Sequence, residues 1–182
     1  SCSSLKKIAL PPSLTTIEET VFCFCKSLEE IIFPSSLISI GNKSFLFTGL
    51  KELIFPSSLK LIGKEAFYGC TSLEKITFSD SLSEIQQEAF KKCNSLKEIV
   101  IPSSLKVINY DVFSHCISLK KISFQNPSSL TVIKDGAFEE CESLTSISFP
   151  SSLNQIFYYA FYKCSSLLEI TIPSSVTRLN GS

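Results

Sequence analysis

Apolar residues recur along this chain with a period of 23 residues. Each unit opens on a leucine: Leu5, Leu28, Leu50, Leu73, Leu96, Leu119, Leu144 and Leu167. Two steps differ, 22 residues from Leu28 to Leu50 and 25 from Leu119 to Leu144, because of a deletion near Thr48 and an insertion at Gln125-Asn126. Both changes lie outside the apolar positions, as loop changes should. A fixed period of this length predicts stacked structural units.

The order of apolar and polar positions predicts three short sides per unit, as in residues 93–113, CNSLKEIVIPSSLKVINYDVF. The alternation in Leu-x-x-Ile-x-Phe favours a strand, which the following proline ends because it has no N–H for the sheet ladder. Ser-Ser-Leu-x-x-Ile predicts a second, shorter extended segment. Segments such as 63–68, Gly-Lys-Glu-Ala-Phe-Tyr, are typical of a single helical turn. A single unit cannot bury its apolar set, but stacked neighbours can.

We therefore expect a right-handed, curved, β-rich solenoid of the α/β type with about seven repeats. A parallel sheet is predicted on the concave face, and short strands, turns and 3-10 or helical turns on the convex side.

The full motif is Leu-x-x-Ile-x-Phe-Pro-x-Ser-Leu-x-x-Ile-x-x-x-Ala-Phe-x-x-Cys. It resembles the BspA-like class of leucine-rich repeats, which occurs in surface proteins of bacteria and of some parasitic protists. The resemblance extends over essentially the whole chain, and the segment from Ile62 to Phe67 is nearest to the family form. It implies adhesion to host or matrix proteins and offers no catalytic residues to carry over.

Charge and length exclude several classes of function. Seventeen Lys and Arg balance seventeen Asp and Glu, so the chain lacks the basic excess of nucleic-acid-binding proteins. It has no apolar run of 18 residues, which predicts no direct membrane insertion.

The sequence contains no methionine and begins inside a repeat without a cap. Solenoid ends need caps, so we expect residues 1–182 to be a single domain of a longer chain, with open repeat ends available for stacking.

Seven of the eight cysteines share one repeat position: Cys2, Cys25, Cys70, Cys93, Cys116, Cys141 and Cys164. Equivalent side chains on stacked strands lie about 4.8 Å apart, beyond the usual disulfide Cβ separation of about 3.8 Å. The pattern predicts a ladder of buried free thiols that pack as small apolar groups. Cys23 is out of register and is expected to be more exposed.

Catalytic and metal-binding patterns are missing. His115 is the only histidine, and although Asp111 and Cys116 are close in sequence, Cys116 belongs to the predicted thiol ladder. A Cys-His pair requires an exposed, activated thiolate. No Cys-x-x-Cys pair or glycine-rich phosphate loop is present. We expect no enzyme activity, no metal and no cofactor.

One candidate binding surface is the concave sheet. The residue between Ile and Phe in each strand faces away from the core, and the residue two positions earlier accompanies it on that face. The predicted site comprises Ile32, Ile54, Thr77 and Val100 with Glu30, Glu52, Lys75 and Glu98. Strand stabilisation by β-branched residues is the alternative reading of this stripe.

A second candidate is an aromatic patch on one convex turn, where other units carry Lys, Glu and Gln. Its members are Phe157, Tyr158, Tyr159 and Tyr162, and Phe24, Leu46 and Phe47 form a similar group near the other end. Exposed aromatic residues are typical interface anchors, although these side chains can also fold back onto the solenoid wall. The sequon Asn42-Lys43-Ser44 predicts a glycan on the convex side; a second sequon lies at 180–182.

The sequence thus predicts a non-catalytic protein-interaction module. The leading hypothesis is the repeat ectodomain of a cell-surface protein that binds host, matrix or neighbouring-cell proteins. The alternative is an intracellular scaffold that joins a large assembly through its aromatic patches and open ends.

Overall fold

The structure, a computed structural model, describes residue 2 and residues 4–180. The second sequon reaches Gly181 and Ser182, which lie outside the described residues. Sixteen strands alternate between a longer and a two-residue strand, one of each per coil of a solenoid: β1 Lys7–Ala9, β2 Thr16–Ile17, β3 Glu30–Ile32, β4 Ser39–Ile40, β5 Glu52–Ile54, β6 Leu61–Ile62, β7 Lys75–Thr77, β8 Glu84–Ile85, β9 Glu98–Ile101, β10 Val107–Ile108, β11 Lys121–Phe124, β12 Val132–Ile133, β13 Ser146–Ser148, β14 Gln155–Ile156, β15 Glu169–Thr171 and β16 Arg178–Leu179.

The longer strands pair in parallel between successive coils. One sheet consists of the six longer strands β5, β7, β9, β11, β13 and β15, and β1 pairs with β3. Partners such as Lys75 and Glu98, or Ile99 and Ile122, are one repeat apart, which confirms the predicted register and the parallel sheet. No ladder joins β3 to β5, the two strands on either side of the deletion.

The two-residue strands form a second set of parallel ladders. One runs through β2, β4, β6 and β8, and the other through β10, β12, β14 and β16. Between these two ladders the side-chain amide of Asn109 donates to the carbonyl of Ile85 at 2.8 Å. At this junction a side-chain amide therefore donates to the backbone carbonyl.

The core consists of columns in which equivalent residues stack on one another. The closing phenylalanines of adjacent coils lie face to face, from Phe22 and Phe45, 5.2 Å apart, to Phe138 and Phe161, 5.5 Å apart. All but the first and last of this column are fully buried: Phe45, Phe67, Phe90, Phe113 and Phe138. The repeated leucines and isoleucines bury in the same way, as stacked repeats require.

The Pro-Ser-Ser-Leu motif has a hydrogen-bonding role. In most coils the hydroxyl of the second serine donates to the leucine carbonyl of the preceding coil, as in Ser58 to Leu37 at 2.6 Å and Ser152 to Leu130 at 2.7 Å. The bond ties each coil to its neighbour at the corner where proline cannot donate.

The predicted turns of the convex side are present as successive hydrogen-bonded turns. The described residues contain no helix, so the helical and 3-10 character predicted for these segments is not confirmed. In residues 63–68 the N–H of Tyr68 donates to Glu65 O at 3.1 Å, whereas the N–H of Phe67 donates to Ala89 O in the next coil at 2.8 Å. In an α-helix every N–H beyond the first turn donates within the helix. Alternate N–H groups are needed here to join the coils.

In the turns, N–H groups that bond within the turn alternate with N–H groups that bond to the next coil. This pattern requires left-handed backbone at two positions per coil, four residues apart. Glu65 and Gly69, with φ of 54° and 70°, are one such pair. Non-glycine residues occupy most of these positions: Thr20, Phe24, Lys43, Phe47, Glu65, Glu88, Lys92, Asp111, His115, Glu140, Tyr159 and Lys163. A left-handed non-glycine residue costs about 1–2 kcal/mol, so the hydrogen bonds between coils must outweigh that strain.

Candidate binding surfaces

The outward face of the longer strands, called the sheet face below, carries the predicted apolar stripe. Ile32, Ile54 and Val100 are 50%, 62% and 49% exposed, and Thr77 between them is also exposed. Their neighbours along each strand, such as Ile31 and Ile99, are buried. Side chains of a strand alternate between its two faces, so the sequence predicted this face correctly.

Charged side chains on the sheet face pair between coils. Lys7 lies 2.6 Å from Glu30, and Lys75 lies 2.8 Å from Glu52. The hydrogen bond from Lys75 to Glu52 raises the pKa of Lys75. Both pairs are solvent-exposed, so they contribute little to stability and serve mainly to set the charge pattern of the face.

A second column of ion pairs, which the sequence reasoning missed, lies one residue earlier. Lys51 is 2.5 Å from Glu29, and Lys97 is 2.6 Å from Glu74. Hydrogen bonds from the lysines lower the pKa of both glutamates. The signal was present in the sequence as the alternation of Lys and Glu directly after the repeat leucine.

The structure places six of the eight residues of the predicted concave site in two shallow depressions, and Thr77 and Val100 line neither of them. Glu30, Ile32, Glu52 and Ile54 line one of about 370 Å³ together with Ile31 and Phe33. Lys75 and Glu98 line the other, of about 420 Å³, with Glu74, Lys97, Lys120 and Lys121. The first depression is apolar with acidic rims, and it lies where no ladder joins β3 to β5.

The predicted convex patch is also divided. Tyr159 and Tyr162 make an edge-to-face contact at 5.6 Å and line a depression of about 310 Å³ with Phe157. Phe157 is half-buried beneath the amine of Lys134, 4.5 Å from the ring centroid. Tyr158 is exposed but does not line this depression.

The aromatic group near the other end of the chain is contiguous. Phe24 stacks on Phe47 at 5.5 Å, and Phe47 makes an edge contact with Tyr68 at the same distance. Gly69 allows this packing, because a Cβ at that position would lie 2.3 Å from the Phe47 ring. Phe24 and Phe47 still expose much of their surface.

The cysteine column is a ladder of free thiols, buried from Cys25 to Cys164, whereas Cys2 is exposed and Cys23 half-buried. Each thiol from Cys70 onward also donates to the phenylalanine carbonyl of the preceding coil, as in Cys93 to Phe67 at 3.4 Å. This hydrogen bond adds to the predicted packing role. Burial raises the pKa of Cys116 to about 12, so its thiolate is strongly disfavoured.

His115 and Cys116 are directed to different partners. The Cys116 thiol donates to Phe90 O at 3.3 Å, while the His115 ring lies 2.8 Å from Ser114 Oγ and 3.1 Å from Glu140. Within residue 2 and residues 4–180, no group of three or more His, Cys, Asp or Glu side chains is arranged to hold a metal ion. The same part of the chain has no helix with the length and hydrophobicity of a membrane span.

Asn42 of the predicted glycosylation site is tied to both neighbouring coils. Its Nδ2 donates to Glu19 Oε1 at 2.7 Å, and its Oδ1 accepts from the N–H of Lys64 at 2.9 Å. Ser44 is fully buried and donates to Gly41 O at 2.9 Å. A glycan on Asn42 stays a prediction; it would be attached to Nδ2, the atom that donates to Glu19.

Comparison with solved structures supplies relatives for this arrangement. The chain is 35% identical to a leucine-rich repeat protein from Bacteroides ovatus, with a TM-score of 0.91 over 100% of this chain and 46% of that one. A leucine-rich cell surface protein from Faecalibacterium prausnitzii is 30% identical, with a TM-score of 0.81 over 94% of this chain and 48% of the other. The pneumococcal vaccine antigen PcpA is 25% identical, with a TM-score of 0.70 over 94% of this chain and 51% of its own.

The chain thus spans about half the length of these relatives. Comparison with curated protein sequences gives no match. The model of the BspA type leucine rich repeat region matches residues 1–120 and 60–182, with six copies of the repeat. The match extends over the whole sequence, so this chain belongs to the BspA-type leucine-rich-repeat family.

Proposed function

We propose that this chain is a non-catalytic protein-interaction module whose sheet face binds a protein at the cell surface. The observation that carries the proposal is the exposure of Ile32 and Ile54, 50% and 62%, side by side in one apolar depression. Branched aliphatic side chains with that exposure can release ordered water when a partner covers them. We also propose that residues 1–182 form one domain, since the described coils share one core.

Energetics favour the apolar depression over the charged columns as the source of affinity. Full burial of an isoleucine contributes about 1.5–3 kcal/mol relative to exposure. The ion pairs around it, such as Lys75 with Glu52, are already satisfied within the chain. They contribute mainly to selectivity, because a partner whose charges do not match this pattern would bury its own charged groups without partners.

A position at the cell surface is supported by two of the relatives. One is described as a cell surface protein and another as a vaccine antigen. The first experiment is labelling of intact source cells with membrane-impermeant biotin, followed by detection of this protein. Labelling is expected; protection equal to that of an intracellular control protein would contradict the surface assignment and favour an intracellular scaffold.

The binding surface is tested with the double variant Ile32→Asp/Ile54→Asp. The fluorescently labelled chain is applied to immobilised basement-membrane extract, and bound fluorescence is measured over a concentration series. We expect the wild-type chain to bind and the double variant to bind at least tenfold more weakly at unchanged thermal stability. Both substitutions lie on exposed positions, so the fold should tolerate them.

Ile38→Asp, a single substitution of the same kind, is the control. Ile38 is 48% exposed and lies beside the second ladder, away from the sheet face. We expect it to bind like the wild-type chain. Equal binding by the double variant and the wild type would exclude the sheet face as the site, and loss of binding by Ile38→Asp alone would place the site on another side of the solenoid.

A further inference from the structure

The backbone at Gly136 lies at the bottom of a notch between Asp111 and Tyr159. The notch is on the side of the solenoid that consists of the hydrogen-bonded turns. The three residues occupy the same left-handed position in successive coils, with φ of 64°, 55° and 57°. A Cβ at position 136 would lie 2.3 Å from Asp111 Oδ1 and 3.6 Å from Glu139 Oε2. The missing side chain therefore allows the Asp111 carboxylate to approach the next coil at a point where the Glu139 carboxylate also lies nearby.

The walls of the notch combine acidic and aromatic groups. A depression of about 470 Å³ is lined by Gln87, Tyr110, Asp111, Asp135, Gly136, Glu139 and Tyr159. Its two tyrosines are 44% and 52% exposed. The lining thus holds three carboxylates and two phenol rings and includes no lysine or arginine.

The carboxylates are only partly neutralised. Lys91 lies 3.3 Å from Asp111 Oδ2. Asp135 and Glu139 are half-buried and form no ion pair among the residues that the structure describes. Half-buried carboxylates beside apolar rings attract a cation more strongly than fully solvated ones, because the local screening is weaker.

One amine of the chain itself, that of Lys134, already lies over Phe157 and over Tyr110, a ring of the notch. The Nζ of Lys134 lies 4.5 Å from the centroid of Phe157 and 5.7 Å from that of Tyr110. An aromatic face attracts an organic cation through its quadrupole. Since no metal-binding group exists in the described part of the chain, an organic cation fits these walls better than a metal ion.

We propose that the notch at Gly136 binds an arginine or lysine side chain on a basic segment of a partner protein. A guanidinium can stack on a tyrosine while it pairs in bidentate fashion with a carboxylate, so arginine is the better ligand. The proposal shares with the proposed function the premise that this chain recognises proteins. It concerns a different face and a different partner chemistry from the Ile32 and Ile54 depression.

The test uses a fluorescent hexapeptide with two arginines, and a counterpart with citrulline in their place. Citrulline keeps the shape of arginine and lacks its charge. Fluorescence anisotropy with the whole chain should detect the arginine peptide and give at least tenfold weaker binding for the citrulline peptide. Equal binding of the two peptides would overturn the proposal.

Variants then locate the site. Asp135→Asn with Glu139→Gln should weaken binding of the arginine peptide at least tenfold. Asp80→Asn with Glu84→Gln is the control, since it makes the same change of net charge at exposed positions on other parts of the coil. Equal losses in the two double variants would mean general electrostatic attraction and would overturn the assignment of the notch.

Four further variants, in two pairs, separate local effects from charge. Lys91→Gln removes the ion pair with Asp111 and should strengthen binding severalfold, whereas Lys92→Gln makes the same change of charge without removing that ion pair and should strengthen it much less. Tyr110→Phe should keep the affinity and Tyr110→Leu should lower it, because only the former retains an aromatic face. Equal affinity of the phenylalanine and leucine variants would overturn the aromatic contribution, and none of these outcomes bears on the sheet face.

Discussion

The rings of Phe67 and Phe90 lie parallel, 5.3 Å apart with an angle of 1° between their planes. Both are fully buried, and each belongs to the closing phenylalanine column that runs through the solenoid. The repeat period therefore places identical aromatic side chains in the same orientation in successive coils.

Removal of one ring should destabilise the coils on both sides of it. Phe90→Ala leaves a cavity between Phe67 and Phe113, for which we expect a loss of about 3–5 kcal/mol in the free energy of unfolding. Urea denaturation followed by circular dichroism measures it. Phe24→Ala, at an exposed ring, should cost under about 1 kcal/mol; similar losses in the two variants would contradict the role of the column.

The thiol ladder predicts a loss of stability in alkali. Burial raises the pKa of Cys116 from its ordinary value of 9.0 to about 12. The unfolded chain then loses the proton first, so the stabilisation is complete below pH 9 and declines as the pH rises towards about 12. The measurement is the urea midpoint at several pH values across that window.

Cys116→Thr isolates the contribution of this thiol from that of lysine and tyrosine titration. Thr48 already fills the cysteine position in one coil, where its hydroxyl donates to Phe45 O at 3.0 Å. We expect this variant to stay folded, with a pH dependence of unfolding shallower by roughly 1 kcal/mol per pH unit. An unchanged slope would contradict the assigned pKa.

The left-handed positions predict a stabilising substitution. Glu88 has a φ of 60°, and glycine adopts this conformation without strain, so Glu88→Gly should stabilise the chain by up to about 1 kcal/mol. Gln87→Gly is the control, because the Gln87 amide donates to Glu88 at 2.7 Å and both variants lose that bond. Thermal unfolding should rank the first above the second; the reverse order would count against strain at Glu88.

Asn42 predicts a structural effect that is separate from glycosylation. Its amide joins Glu19 in one coil to the Lys64 N–H in another, so Asn42→Ala should cost about 1–2 kcal/mol of stability in protein made without glycans. Lys43→Ala changes the neighbouring exposed residue and should cost much less. Mass spectrometry of protein from its natural source tests whether Asn42 also carries a glycan.

Most of the fold could be predicted because each core residue contacts its own equivalent in the next coil. Leu96, Ile99 and Phe113 are all buried where the period placed them, and Ile32 and Ile54 are exposed where strand alternation placed them. The turn at 63–68 is present, but its predicted helical character is not confirmed. Local composition favours a helical turn, but the N–H of Phe67 donates to Ala89 O in the neighbouring coil. Helix propensity reflects only residues that are close in sequence, so it does not predict this bond.

The sequence by itself determined the period, the parallel register, the composition of each core column and the face on which each strand residue lies. These follow from repetition, since a periodic chain buries its apolar set only by stacking in register. The tertiary structure decided which charges pair, as Lys97 does with Glu74, and where the ladders are interrupted. It also decided that Gly136 opens a notch between Asp111 and Tyr159. Such features depend on the side chains of neighbouring coils, which come together only when the chain has folded.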